Sequence, residues 1–216
     1  MHLLLSLLLT SLFRMDLIIL AASGRTGLAI TRQALERGHT VTAIARDPER
    51  VTLPGHAALR VVAGDVHDPA SIAAVIDADS VVLSALGTEQ AGVLLAGAEA
   101  VVAAGPGRVI WLGAYGTGRS AAVAGEAAGI LGKLLGDRLA DKVAADDIVL
   151  AAGGTAFHAG VLADGPESPA RRTVGLEAAP PFDLTATVTR DTVAAAMLDE
   201  AETPRFTGTV ALPLTG

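Results

Sequence analysis

Cysteine is absent from the 216 residues, which excludes disulfides, thiolate metal sites and a cysteine nucleophile. Its absence suits a reducing, cytoplasmic setting. Aromatic residues make up only 3%, with one Trp and one Tyr, so a core has to be built from Ala, Val, Leu and Ile. A basic excess is lacking too. Sixteen Lys and Arg stand against 23 Asp and Glu, a formal net charge of −7, whereas tracking nucleic-acid phosphates needs the opposite sign. The five histidines, His2, His39, His56, His67 and His158, lack the close helical spacing of a zinc pair, so no metal is expected. No apolar run reaches the roughly 20 residues of a membrane span. Residues 3–13 come nearest, and Arg14 and Asp16 end them. Read as a secretory leader, this segment would find small residues at Ala21-Ala22-Ser23, and cleavage there would remove a strand. Residues 1–14 are instead expected to be an N-terminal extension of unassigned role, with the domain running over 15–216 from Met15.

What is present is a strand-and-helix alternation. Strand-like runs cover 17–21, 41–45, 59–63, 80–85, 109–112 and 156–161. Helical patterns fill 26–38, 68–78, 92–105 and 139–154 between them. Such alternation predicts an α/β Rossmann-type fold, a doubly wound parallel sheet with right-handed crossovers in a single domain. Gly38 is placed to close the first helix, and Asp68-Pro69 to open the second. Residues 163–183, rich in Pro, Gly and charge, predict a loop or irregular lobe. Thr189 then caps a helix over 190–204, and 206–214 supplies a last strand. Residues from about 155 onward are expected to form a small substrate-side lobe. The glycine-spaced segment 113–136 is expected to be a mobile loop or lid near an active site.

The segment "LIILAASGRTGLAI", residues 17–30, carries the chemistry. A strand runs into Ala22-Ser23-Gly24-Arg25-Thr26-Gly27 and then into a helix. Glycines there permit a tight turn and close backbone approach to a pyrophosphate, and a helix N-terminus presents amide donors. A plain strand-to-helix turn would look similar. Arg46 follows the second strand, where an acidic residue would bind an adenosine ribose and an arginine suits a 2′-phosphate. Arg25 could reach the same phosphate. Alternatively, the charges of "RDPER", residues 46–50, pair with one another as a solvated loop.

Taken together, "ASGRTG", "ARDPER", "RVVAGDVHDPASI", "SVVLSALG", "LADKVAADDIVLAAGG", "GVLADGP" and "VTRDTVAAAMLDE" resemble the NAD(P)H-binding, NmrA-like branch of the atypical short-chain dehydrogenase/reductases. The resemblance runs through nearly everything after residue 15. The family turn is usually G-x-x-G-x-x-G, and Ala21 stands at its first glycine. By that resemblance, Asp65 and Val66 border an adenine, and Ser84, Ala85, Leu86 and Gly87 line the nicotinamide-side ribose. The alternative for Asp65 is a turn-former, and for 84–87 a plain strand end.

The usual serine and Tyr-x-x-x-Lys tyrosine are absent. The serine region reads Leu112-Gly113-Ala114-Tyr115-Gly116, and Arg138 stands four residues before Lys142. Tyr115 is a candidate proton donor or a cover for the sheet edge. Lys142 is a candidate ribose ligand or a partner of Asp141 or Asp146. His158, where the family often carries an Arg-Pro pair, reads as a buried histidine. The resemblance implies an NADP(H)-dependent oxidoreductase, NADP rather than NAD, passing hydride to a small carbonyl, quinone or flavin-like acceptor. Alternatives are a non-catalytic NADP(H)-binding sensor acting through a protein partner and a nucleotide-sugar epimerase or dehydratase.

Overall fold

A computed structural model of the protein describes residues 14–87 and 90–215. The expectation for the N-terminal extension therefore lies, apart from Arg14, outside the described residues. The apolar runs form parallel strands: β1 (Asp16–Leu20), β2 (Thr40–Ala45), β3 (Leu59–Ala63), β4 (Val81–Ser84), β5 (Arg108–Ala114) and β6 (Thr155–Ala159). Three further strands are β7 (Val161–Ala163), β8 (Arg172–Gly175) and β9 (Thr187–Thr189), and β10 (Val210–Leu214) is the last. The main sheet has the order β3-β2-β1-β4-β5-β6-β10-β8, parallel except for the β10–β8 pair, and β7–β9 form a separate parallel pair. Central strands are buried on both faces, and their continuous apolar composition is what that burial selects.

The helices are α1 (Arg25–Glu36), α2 (Pro69–Ala73), α3 (Val93–Ala104), α4 (Ala121–Ala124), α5 (Glu126–Leu135), α6 (Arg138–Ala151) and α7 (Arg190–Glu202). Alternate residues of each strand feed two cores. Leu17, Ile19 and Leu83 join the α1 and α7 side with Ile30, Val193 and Met197. Ile18, Leu20, Val82 and Trp111 join the α3 and α6 side with Val101 and Val149. The outcome is three layers, helices on both faces of one sheet.

Local punctuation decides the element ends. Gly38 follows α1 with φ of 87°, and the Thr189 hydroxyl caps α7 by accepting from the Thr192 amide at 3.2 Å. Asp68 does not cap α2 with its side chain, although Pro69 opens that helix. The helix is also shorter than the pattern over 68–78, because Asp77 and Ser80 bond each other in a turn before β4. Two expectations change. Residues 163–183 contain β8, antiparallel to β10, so much of the region after 155 extends the main sheet. Residues 113–136 are not an open loop: after β5 come a 3-10 turn at Gly118–Ser120, α4 and α5.

Candidate functional site

Strand order reverses between β1 and β4, whose successors lie on opposite sides of the sheet. Open α/β sheets bind ligands outside the strand carboxyl ends at such a switch point. Two recesses open there. They share Gly24, Leu86 and Gly87 as lining residues. Larger hollows, about 540 and 510 Å³, lie elsewhere, one beside α7 and β8 and one at the amino ends of β1, β2 and β4. Neither touches the switch point.

The turn after β1 is built around two residues. Ala21 adopts φ of 61°, the one positive value outside glycine among the described residues, a conformation that costs an L-residue about 1–2 kcal/mol. Its carbonyl accepts from the Gly24 amide at 3.0 Å. A Cβ on Gly27 would stand 2.3 Å from that same carbonyl oxygen and 2.8 Å from Ala22 Cα, so only glycine lets α1 approach this closely. Gly24 is the N-cap of α1, with no side-chain cap and no acid in the first turn. The amino end of the helix thus keeps its dipole uncompensated by side chains, which suits a phosphate.

The first recess has a volume of about 320 Å³ and is lined by Ser23, Gly24, Arg46, Asp65, Val66 and Leu86, among others. Arg50 and His67 also line it, a role that no motif spacing marks. Asp47 accepts from the Glu49 amide at 3.2 Å and so caps the 3-10 turn Pro48–Arg50. That turn brings Arg50 to the same recess as Arg46. Among the described residues no ion pair engages either arginine, so the charges of this loop do not neutralise one another. Asp65 also makes a local turn, its carboxylate accepting from the His67 amide at 3.0 Å.

The second recess, about 440 Å³, is lined by Arg25, Thr26, Ala85, Leu86, Gly87, Gly113, Lys142 and Arg190. Arg25 faces this recess, not the one holding Arg46. It is the first residue of α1 and pairs with Asp164 at 3.1 Å, and Asp164 also takes Arg190 at 2.6 Å. Three other expected residues sit behind the walls. Ala22 and Ser84 are fully buried; Ser84 accepts from the Leu86 amide at 3.3 Å, and Gly27 serves helix packing. They shape the turns without lining either recess.

Lys142 lies in the second recess, one helical turn before Asp146. Burial lowers its pKa, while Asp146 and Asp141 pull it up and Arg138 pushes it down. Asp141 is otherwise engaged: its carboxylate accepts from the Leu94 and Leu95 amides at 3.2 and 2.9 Å and caps α3. Tyr115 is turned away. It is 3% exposed, its hydroxyl donates to the Pro180 carbonyl, and its ring lies 4.9 Å from that of Phe182. Burial raises its pKa. The side chain packs with Leu150, Ala156 and Leu212 beneath residues 176–182 and lines neither recess. His158 is buried as expected, against Ser120 and Asp146.

A family model described as NAD(P)H-binding matches residues 21–204. Among solved structures, ChuY, an anaerobillin reductase from Escherichia coli O157:H7, superposes with a TM-score of 0.75 at 20% identity, over 92% of this chain and 96% of its own. The oxidoreductase ylbE from Lactococcus lactis gives 0.76 at 18% identity, over 94% and 91%. A short-chain dehydrogenase/reductase from Veillonella parvula, in complex with NADP, gives 0.74 at 18%, over 92% and 94%. These likenesses carry the fold. The family model spans most of the chain, and together with the glycine turn at the β1–β4 switch point it establishes that the protein belongs to the NAD(P)H-binding family.

Proposed function

We propose that the protein is an NADP(H)-dependent oxidoreductase of the NmrA-like, atypical short-chain dehydrogenase/reductase type. The observation that carries this reading is the pair of recesses joined at Gly24, Leu86 and Gly87. The first offers Arg46 and Arg50 for a 2′-phosphate, with Asp65 and Val66 beside an adenine. Between them the bare N-terminus of α1, at Gly24, Arg25 and Thr26, takes the pyrophosphate. The second recess takes the nicotinamide side, along Ala85, Leu86, Gly87 and Lys142, and a small carbonyl, quinone or flavin-like acceptor.

The cofactor supplies the hydride when bound. This chain's residues orient and charge the site. Gly27 and Ala21 fix the turn, and Lys142 holds a ribose hydroxyl or gives a proton to the reduced acceptor. Burial moves Lys142 downward in pKa, the direction that brings an ammonium closer to useful general-acid strength. That a reductase in E. coli shares the fold supports the class of reaction. The test is NADPH oxidation against a panel of aldehydes, quinones and free flavins. Turnover with one acceptor class is expected, falling about 100-fold or more in Lys142→Met.

A second reading is a non-catalytic NADP(H) sensor. One observation favours it: Tyr115, the only tyrosine, is tied to Pro180. Tight NADPH binding with no turnover across the panel would select the sensor.

A further inference from the structure

Behind the Lys142 recess lies a buried chain of polar groups that the proposed chemistry does not use. Ser120, His158 and Asp146 are 0%, 1% and 3% exposed. Ser120 Oγ lies 2.7 Å from His158 Nδ1 and accepts from the Gly116 amide at 3.0 Å. On its other side, His158 Nε2 stands 3.1 Å from Asp146 Oδ2. That contact is close but out of line for a hydrogen bond, and both Asp146 oxygens and His158 Nε2 find no aligned partner. A buried carboxylate without hydrogen bonds is costly and needs compensating charge.

The glycine at the recess floor makes room for this pair. A Cβ on Gly113 would meet His158 Cδ2 at 2.7 Å and Asp146 Oδ1 at 3.0 Å. Gly113 also lines the second recess, so the pair sits directly behind that wall. The charges around Lys142 are Arg138, Asp141 and Asp146 on its own helix and His158 on β6. Arg25 and Arg190 line the same recess. From the turn before α4, Arg119 is taken by Asp147 at 3.5 Å. On α3 the only ionisable residue is Glu99, which is exposed. Asp141 is spent on the α3 amides. Asp146, four residues on, lies one helical turn along the same face of α6 as Lys142.

We propose that Asp146, with His158 3.1 Å behind it, is the positioning residue that keeps Lys142 a cation in the recess. The proposal deepens the reading of Lys142 given above and rests on it for its catalytic meaning. Its physical content stands without a nucleotide. A carboxylate one helical turn away favours the ammonium form, and its loss leaves Asp141 alone to oppose burial and Arg138.

The chain makes the test direct, because it has two lysines, Lys133 and Lys142. Protein labelled with 13Cε-lysine gives two resonances, which Lys133→Arg assigns. In Asp146→Asn the titration midpoint of Lys142 is expected to fall by about 1 pH unit or more, with Lys133 unmoved. Should the Asn variant fail to fold, the double variant Asp146→Leu/His158→Phe replaces the buried pair with apolar groups, a change often tolerated. It is expected to lower the Lys142 midpoint in the same way. The alkaline limb of NADPH oxidation should follow. A Lys142 midpoint that moves no more than that of Lys133 in the folded variant overturns the proposal. Failure of NADPH to bind would instead sink the cofactor reading and leave this titration standing.

Discussion

Gly27 lies so close to Ala21 that a Cβ on it would stand 2.3 Å from the Ala21 carbonyl oxygen. The obstacle is backbone, so no rotamer change relieves it. Gly27→Ala should push α1 off the turn and cost roughly 1–3 kcal/mol, as overpacking does. NADPH affinity should fall with it, because the same displacement moves the helix N-terminus. Denaturant unfolding and an NADPH titration on the variant check both effects. Unchanged stability would contradict the packing account.

Ala21 carries the opposite tension. Its φ of 61° is costly for alanine by about 1–2 kcal/mol, partly offset in glycine by the extra freedom of the unfolded chain. Ala21→Gly should therefore stabilise the protein, by up to about 1 kcal/mol, and leave NADPH binding intact. A shift of the urea midpoint to higher concentration is the expected sign.

Tyr115→Phe removes one hydrogen bond, to Pro180, and leaves the ring packing on Phe182. A loss of about 0.5–1.5 kcal/mol in stability is expected, with any NADPH-dependent turnover unchanged. A large loss of turnover with normal stability would restore Tyr115 as the proton donor.

Glu202 gives a pH signature. Its carboxylate accepts from His39, and from Arg37 at 3.1 Å. The hydrogen bond from His39 lowers its pKa first, burial opposes, and Arg37 lowers it further. A depressed folded pKa gives stability that is full above the unfolded value, 4.5 for a free glutamate, and is lost as pH falls through the folded value. Glu202→Gln should cost roughly 1 kcal/mol at neutral pH, since the site is partly solvated, and the difference should shrink in acid below about pH 4.5. Equal losses at pH 7 and pH 3 would contradict this.

The β1-to-α1 turn and the parallel sheet were legible because the central strands are short apolar runs followed within four residues by Gly, Asp or Arg. Arg46 was legible from its place after β2. Arg50 was not, because the turn that Asp47 caps brings it back three-dimensionally. The segment over 113–136 looked mobile because glycines weigh against helix, yet two of them, Gly125 and Gly136, fall at helix ends with φ of 68° and 55°, where they belong. For Arg25 and Tyr115, spacing fixes the position of the residue and not the direction of its side chain. The Ser120–His158–Asp146 chain comes from three elements, and no spacing links them.

The most direct test of the cofactor account is calorimetric titration with NADPH and NADH, on the unmodified chain and on Arg46→Ala. The account predicts preference for NADPH and its loss in the variant, by about 10- to 100-fold in affinity, the effect of one charged hydrogen-bond partner. An Arg46→Ala variant that keeps the preference, or a wild-type chain that binds neither nucleotide, would contradict it.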